Sequence, residues 1–94
     1  MVMASLFRSL QLGALILPHR IVMAPLTRCR ADDGHIPNDL MAQYYVQRAS
    51  AGLIITEATM VMEGHSAFWR EPGIYSQQQI AGWRKITDAV HAAD

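Results

Sequence analysis

Apolar residues along this chain come in short runs divided by polar stretches, and the spacing alternates between strand-like and helix-like. Leu6 to Leu17 carries apolar residues on both sides of Gly13. Gly13-Ala14 suits a tight turn, so the stretch reads as a small hairpin covering the bottom of the sheet that follows; the other reading is an ordered coil. The run Arg20-Ile21-Val22-Met23-Ala24-Pro25-Leu26-Thr27 organises the rest. Its apolar part is long enough for a strand and too short for a helix, which places the first main strand at Ile21 to Ala24. Pro25 ends it because proline has no amide hydrogen for a sheet ladder. A long polar loop from Pro25 to Pro37 follows.

Helical spacing then takes over. Asn38 is a candidate N-cap and Asp39 sits in the first turn, where negative charge is favoured. Leu40, Met41, Tyr44, Tyr45 and Arg48 continue at helical intervals, with Gly52 as the expected C′ residue. Leu53 to Ala58 is a second apolar strand. Strand, helix and strand in this order predict a βαβ unit with parallel strands buried on both faces. A second polar loop runs from about Met62 to Tyr75. Ser76 and Gln79 form a capping box for a closing helix whose face is marked by Ile80, Trp83, Ile86, Thr87 and Val90.

Composition changes this picture in one respect. The chain has 94 residues, 51% hydrophobic and only 17% charged, against about 25% charged in typical domains. A small domain has proportionally more surface and should carry more charge, so much of this one is built to be covered by further chain, a partner or a second copy. Net charge is zero and the basic residues form no stripe, which argues against nucleic-acid binding. Leu10 to Leu17 is too short and interrupted to span a membrane, and Pro18-His19-Arg20 follows where a cleavage site would lie, so neither a transmembrane segment nor a signal peptide is expected. A single cysteine, Cys29, fits a cytoplasmic location. The four histidines lack metal-site spacing, so no metal is expected, and the dinucleotide, P-loop and nucleophile-elbow motifs do not occur.

In parallel α/β architectures, ligands sit outside the carboxyl ends of the strands. Both such ends here open into long loops, and the opposite joins are short. The candidates are the backbone of Ala24, Pro25, Leu26 and Thr27, the Thr27 hydroxyl, the Glu57-Ala58 backbone, and the loop side chains Arg28, Arg30, His65, Phe68 and Trp69. Each has a plainer reading. Thr27 suits a loop cap, Glu57 suits a paired structural carboxylate better than a base, the arginines suit solvent, and the two aromatics suit packing on the second helix.

Four segments carry a resemblance: Arg20 to Arg28, Pro37 to Tyr45, Gln47 to Ala58, and Pro72-Gly-Ile-Tyr-Ser76 with Gln79-Ile-Ala-Gly-Trp83. In order and spacing the chain from Leu6 onward resembles the Old Yellow Enzyme family of FMN-dependent ene-reductases, nearest to its N-ethylmaleimide reductase and xenobiotic reductase branch. The resemblance implies a (β/α)8 TIM barrel entered through an N-terminal hairpin, with FMN at its C-terminal mouth and residues 1–94 as the N-terminal portion of that domain. It implies that the backbone of Ala24, Pro25 and Leu26 lies along the flavin. Thr27 would bond the flavin's carbonyl edge and tune its potential, Ala58 would contact it through its backbone, and Phe68 would face substrate. Cys29 lies two residues past the position where some relatives carry cysteine and does not inherit that role.

In such enzymes NAD(P)H reduces FMN, which passes hydride to an activated alkene. The donors that polarise the substrate, the proton-supplying tyrosine and the phosphate-binding groups lie later in the family's sequence, so no catalytic residue falls in this chain and the barrel is incomplete. A barrel needs about 250 residues, and two strands leave open edges. Two expectations follow: the N-terminal portion of an ene-reductase, or a non-catalytic fragment acting as a binding module. In either, the chain self-associates or docks onto the missing barrel portion.

Overall fold

The computed structural model describes residues 5–93, so both extremes of the expected 1–94 domain lie outside the described residues. The hairpin forms as expected and is tighter. Strands β1 (Leu10–Leu12) and β2 (Leu15–Leu17) pair antiparallel, Leu10 opposite Leu17 and Leu12 opposite Leu15. The turn is Gly13-Ala14, and Gly13 adopts φ +60, a left-handed conformation that glycine enters without steric cost. Within the hairpin only Leu17 is buried.

Strand β3 (Val22–Met23) pairs in parallel with β4 (Leu53–Ile54), and helix α1 (Asp39–Val46) lies between them in sequence. Both strands are shorter than the apolar runs predicted. The ladder explains where they stop. Ile55 N–H donates to the Met23 carbonyl at 3.1 Å. Donors alternate along a parallel pair, so the next rung would take an amide hydrogen from residue 25, which is Pro25. A second expectation is corrected: the strands are not buried on both faces. Met23 and Ile54 pack on the helices, but Val22 stays 43% exposed and Ile55 45%, because no other described element covers one face of this two-stranded sheet.

Helix α1 starts where its sequence says. The Asn38 side chain accepts the Met41 amide at 3.0 Å, and Asp39 occupies the first turn. It ends early, at Val46, with Gln47 as C-cap. Gly52 is therefore not its C′ residue. Gly52 instead lies where the chain passes against itself: its amide donates to the Ile21 carbonyl at 2.8 Å, and a Cβ there would overlap the His19 carbonyl. Helix α2 (Gln77–Ala93) opens on the predicted capping box, with Gln79 N–H to the Ser76 hydroxyl at 3.2 Å and Ser76 N–H to Gln79 Oε1 at 3.1 Å. The core gathers Ala31, Met41, Tyr45, Trp83 and Ile86, sealed by Met23, Ile54 and Val90. It therefore sits between the two helices and one face of the sheet. No described helix is long and apolar enough to cross a membrane.

Candidate cofactor site at the strand ends

The end of β3 places an uncovered segment beside the end of β4. Ala24, Pro25 and Leu26 are exposed, Leu26 by 51%, Thr27 is half-buried, and Ala58 is exposed on the other strand. The Thr27 carbonyl accepts Arg28 Nε at 3.0 Å. The Leu26 amide and the Thr27 hydroxyl have no hydrogen-bond partner among the described residues. Past Ala58 the Thr59 hydroxyl turns back to donate to the Glu57 carbonyl at 2.8 Å.

Glu57 connects this end of the sheet to α1. Its side chain is only 3% exposed. Tyr45, from the inner face of α1, donates its hydroxyl to Glu57 Oε2 at 2.7 Å and accepts the Glu57 amide at 3.0 Å on the same oxygen. The other carboxyl oxygen, Oε1, is buried with no partner. Burial raises the Glu57 pKa above the ordinary carboxylate value, while the Tyr45 hydroxyl and the amide and charge of Arg28 pull it back. Burial and the Glu57 contact push the Tyr45 hydroxyl well above the ordinary phenol range. Glu57, Thr27 and Arg28 share the wall of a cleft of about 630 Å³ with Gln43, Tyr44 and Arg30.

Behind the strand ends, the two long loops are tied to each other. Ala31 N–H donates to the Arg70 carbonyl at 3.1 Å, Gly73 N–H to the His35 carbonyl at 2.9 Å, and His35 Nδ1 meets the Glu71 carbonyl at 2.7 Å. Gln79, fully buried, accepts the Tyr75 and Ser76 amides and donates to the Gly34 carbonyl at 3.0 Å. Trp83 Nε1 donates to the Gly73 carbonyl at 3.0 Å. The Glu71 carboxylate accepts the Ala67 amide at 2.7 Å, beside Phe68.

The sequence-predicted residues thus divide. Thr27, Arg28, Arg30 and Glu57 come together in one cleft, with Ala24 to Leu26 and Ala58 at the adjoining strand ends. Phe68, 47% exposed, and Trp69, beneath the Arg70 guanidinium at 4.8 Å, stand on the second loop outside that cleft. Neither packs into the core against α2. His65 is exposed as well. Of the polar contacts, spacing gave the Ser76 side of Gln79 through the capping box but no hint of the Tyr45 bracket on Glu57, of the Gln79 bonds to Tyr75 and Gly34, or of the Glu71 tie. Tyr45 reads as one more apolar member of a helical stripe, and only three-dimensional proximity shows its hydroxyl at work. No described group of histidine, cysteine or acidic side chains is arranged to hold a metal.

A parallel βαβ unit places this chain among the α/β proteins, in which ligands sit outside the carboxyl ends of the strands. The sequence model of the NADH:flavin oxidoreductase / NADH oxidase family matches residues 5–94, and the chain belongs to that family. A probable flavin mononucleotide-dependent alkene reductase of Leishmania infantum is 54% identical over 86 residues, which are 92% of this chain and 24% of that protein. The old yellow enzyme of Trypanosoma cruzi superposes with a TM-score of 0.92 at 56% identity, over 98% of this chain and 25% of that one. Morphinone reductase, solved with tetrahydroNAD, superposes at 0.90 and 50% identity, over 95% and 24%. The chain thus spans about a quarter of the relatives it matches, and its resemblance to the Old Yellow Enzyme family is confirmed.

FMN is the flavin of this family, and the strand-end residues suit an edge of it. They offer an unpaired amide and an unpaired hydroxyl beside apolar surface at Leu26, donors that a flavin's carbonyl and ring-nitrogen edge can accept.

Proposed function

We propose that this chain is the first hairpin and first two βα units of an FMN-dependent (β/α)8 barrel that reduces activated C=C bonds with NAD(P)H as reductant. The observation that carries the reading is the pair of adjoining strand ends with unsatisfied donors at Leu26 and Thr27, in a chain that superposes on an old yellow enzyme over nearly all of its length. In this reading the backbone of Ala24, Pro25 and Leu26 lies along the ring system and the Thr27 hydroxyl donates to its carbonyl edge. Such a bond strengthens as negative charge gathers there on reduction and so raises the reduction potential. Ala58 approaches through its backbone and Phe68 faces substrate. The flavin, when bound, supplies hydride transfer.

The exposed apolar residues fit this reading. Val22, Ile55 and Leu26 lie at the sheet or its ends, uncovered here. The remaining barrel strands and helices are the natural cover for such a surface, and a second copy of the chain is the other. The test is an absorbance spectrum of the purified chain with added FMN, alone and mixed with the T. cruzi enzyme lacking its matching quarter, each with its mass in solution. A shifted flavin band and alkene reduction in a one-to-one complex are expected from the mixture. A chain that forms only self-associated species, retains no flavin and restores no reduction in the mixture would overturn the reading in favour of a non-catalytic association module.

A further inference from the structure

The second loop exposes two large aromatics, yet the turn that carries them is held from inside by one carboxylate. Glu71 is only 3% exposed, and among the described residues no cation pairs with it. A buried carboxylate without a counter-ion must be offset by hydrogen bonds. Its Oε1 accepts the Ala67 amide at 2.7 Å and, more weakly, the Phe68 amide at 3.5 Å. Phe68 is gripped at its carbonyl as well, by the Ser66 hydroxyl at 2.7 Å and the Glu71 amide at 3.4 Å.

The same residue fastens the turn to the body. Its carbonyl meets His35 Nδ1 at 2.7 Å, and its neighbours are tied on either side, by Ala31 N–H to the Arg70 carbonyl at 3.1 Å and Met60 N–H to the Pro72 carbonyl at 2.9 Å. Phe68 therefore projects from a turn held both within itself and to the body, while the residue stays 47% exposed. A ring in solvent gains little from so firm a mount. A ring that bounds a substrate space needs one, because a wall discriminates between molecules only if its support is fixed. We propose that Glu71 is a positioning residue that sets, through Phe68, how bulky an activated alkene the site admits. That selectivity rests on the flavin reading above, in which Phe68 faces substrate. The hold on Ala67 and Phe68 belongs to this chain and is tested without flavin.

The experiment has two readouts. In an NMR titration of the full chain, with the Glu71 carboxyl and the backbone amides labelled, the Ala67 amide proton should follow the Glu71 carboxyl carbon. Amide exchange at Ala67 should quicken about tenfold in Glu71→Ala, the size of one charge-assisted hydrogen bond, and less in Glu71→Gln, which keeps an acceptor oxygen. The second readout is reduction of cyclohexenone and of a cyclohexenone with a bulky ring substituent, by the chain mixed with FMN and the T. cruzi enzyme lacking its matching quarter. The ratio of the two kcat/KM values is independent of how much enzyme is folded. It should move about tenfold toward the bulky substrate in Glu71→Ala, return toward the parent in Glu71→Gln, and move the same way in Phe68→Ala. An Ala67 amide indifferent to the Glu71 titration in the unmutated chain would overturn the hold, and that readout stands even if neither Glu71 variant folds. An unchanged ratio in Glu71→Ala or Phe68→Ala, in mixtures that reduce both alkenes, would overturn the selectivity alone. A parent mixture that reduces neither, with Ala67 following Glu71, would defeat the flavin reading and the selectivity with it, and leave the hold intact.

Discussion

The loops behind α2 and the strand ends in front of them lie a few residues apart and treat their polar groups in opposite ways. Behind, the buried Gln79 amide makes three hydrogen bonds, and Trp83 closes the Gly73 carbonyl. In front, the Leu26 amide and Thr27 hydroxyl have no partner among the described residues, and large apolar side chains stand exposed. A chain that satisfies its own groups so completely in one place has the means to do so in the other. The first region is scaffold, and the second, with its donors open to solvent, is the surface proposed above to meet the flavin.

The comparison is broken most violently at Trp83. It is buried in the core, lies 6.2 Å from Tyr45 ring to ring, and donates to Gly73. Trp83→Ala removes a large aromatic from the contact between helices and orphans a carbonyl, at a cost of about 4 kcal/mol. In a small domain of marginal stability this abolishes cooperative urea unfolding. A variant that still unfolds cooperatively near the parent midpoint would deny Trp83 its place in the core.

Gln79→Ala comes next. It strands the Tyr75 and Ser76 amides and the Gly34 carbonyl, and should lower the unfolding free energy by about 3 kcal/mol. Gly73→Ala sharpens the result, since a Cβ at Gly73 would lie 2.6 Å from the Gln79 oxygen. Both changes should also release the second loop, read as faster proteolysis between Met62 and Trp69. A loss of stability with that loop still protected would separate the Gln79 network from the loop it is said to hold.

What could be read from the sequence follows the same division. Capping residues declare themselves by local chemistry, so Asn38 and the Ser76–Gln79 box fall where predicted. The hairpin and the βαβ order follow from apolar runs and turn residues. Strand length and the exposed second face were misread because apolar runs announce what a strand is made for, and the two residues of ladder in each strand depend on the neighbours present. The gathering of Thr27, Arg28 and Glu57 was foreseen from loop asymmetry. The Tyr45 bracket was not, since a hydroxyl at the end of an apolar ring has no periodic signature.

Glu57 lies on the border between the two regions, and pH probes it. Its pKa is raised, so the folded state favours the neutral carboxyl. The resulting stabilisation is full below the ordinary glutamate value of about 4.3 and is lost as pH rises through the higher folded-state value. Urea unfolding should therefore show stability declining over that interval in the parent and a flatter profile in Glu57→Gln. Superimposable profiles would mean that the carboxyl titrates as if unburied.

The smallest effect on stability is expected at Thr27, and it is the most discriminating. Its hydroxyl has no hydrogen-bond partner among the described residues, so Thr27→Ala should move the unfolding free energy by no more than about 0.5 kcal/mol. If the strand ends hold the flavin as proposed, the same substitution should lower the potential of the bound flavin and weaken its retention, because the lost donor acts mainly on the reduced, more negative ring. Stability and cofactor would then respond in inverse order at Trp83 and Thr27. A Thr27→Ala chain destabilised like the Gln79 variant would place Thr27 within the scaffold, and the contrast between the two regions would fail at its most exposed point.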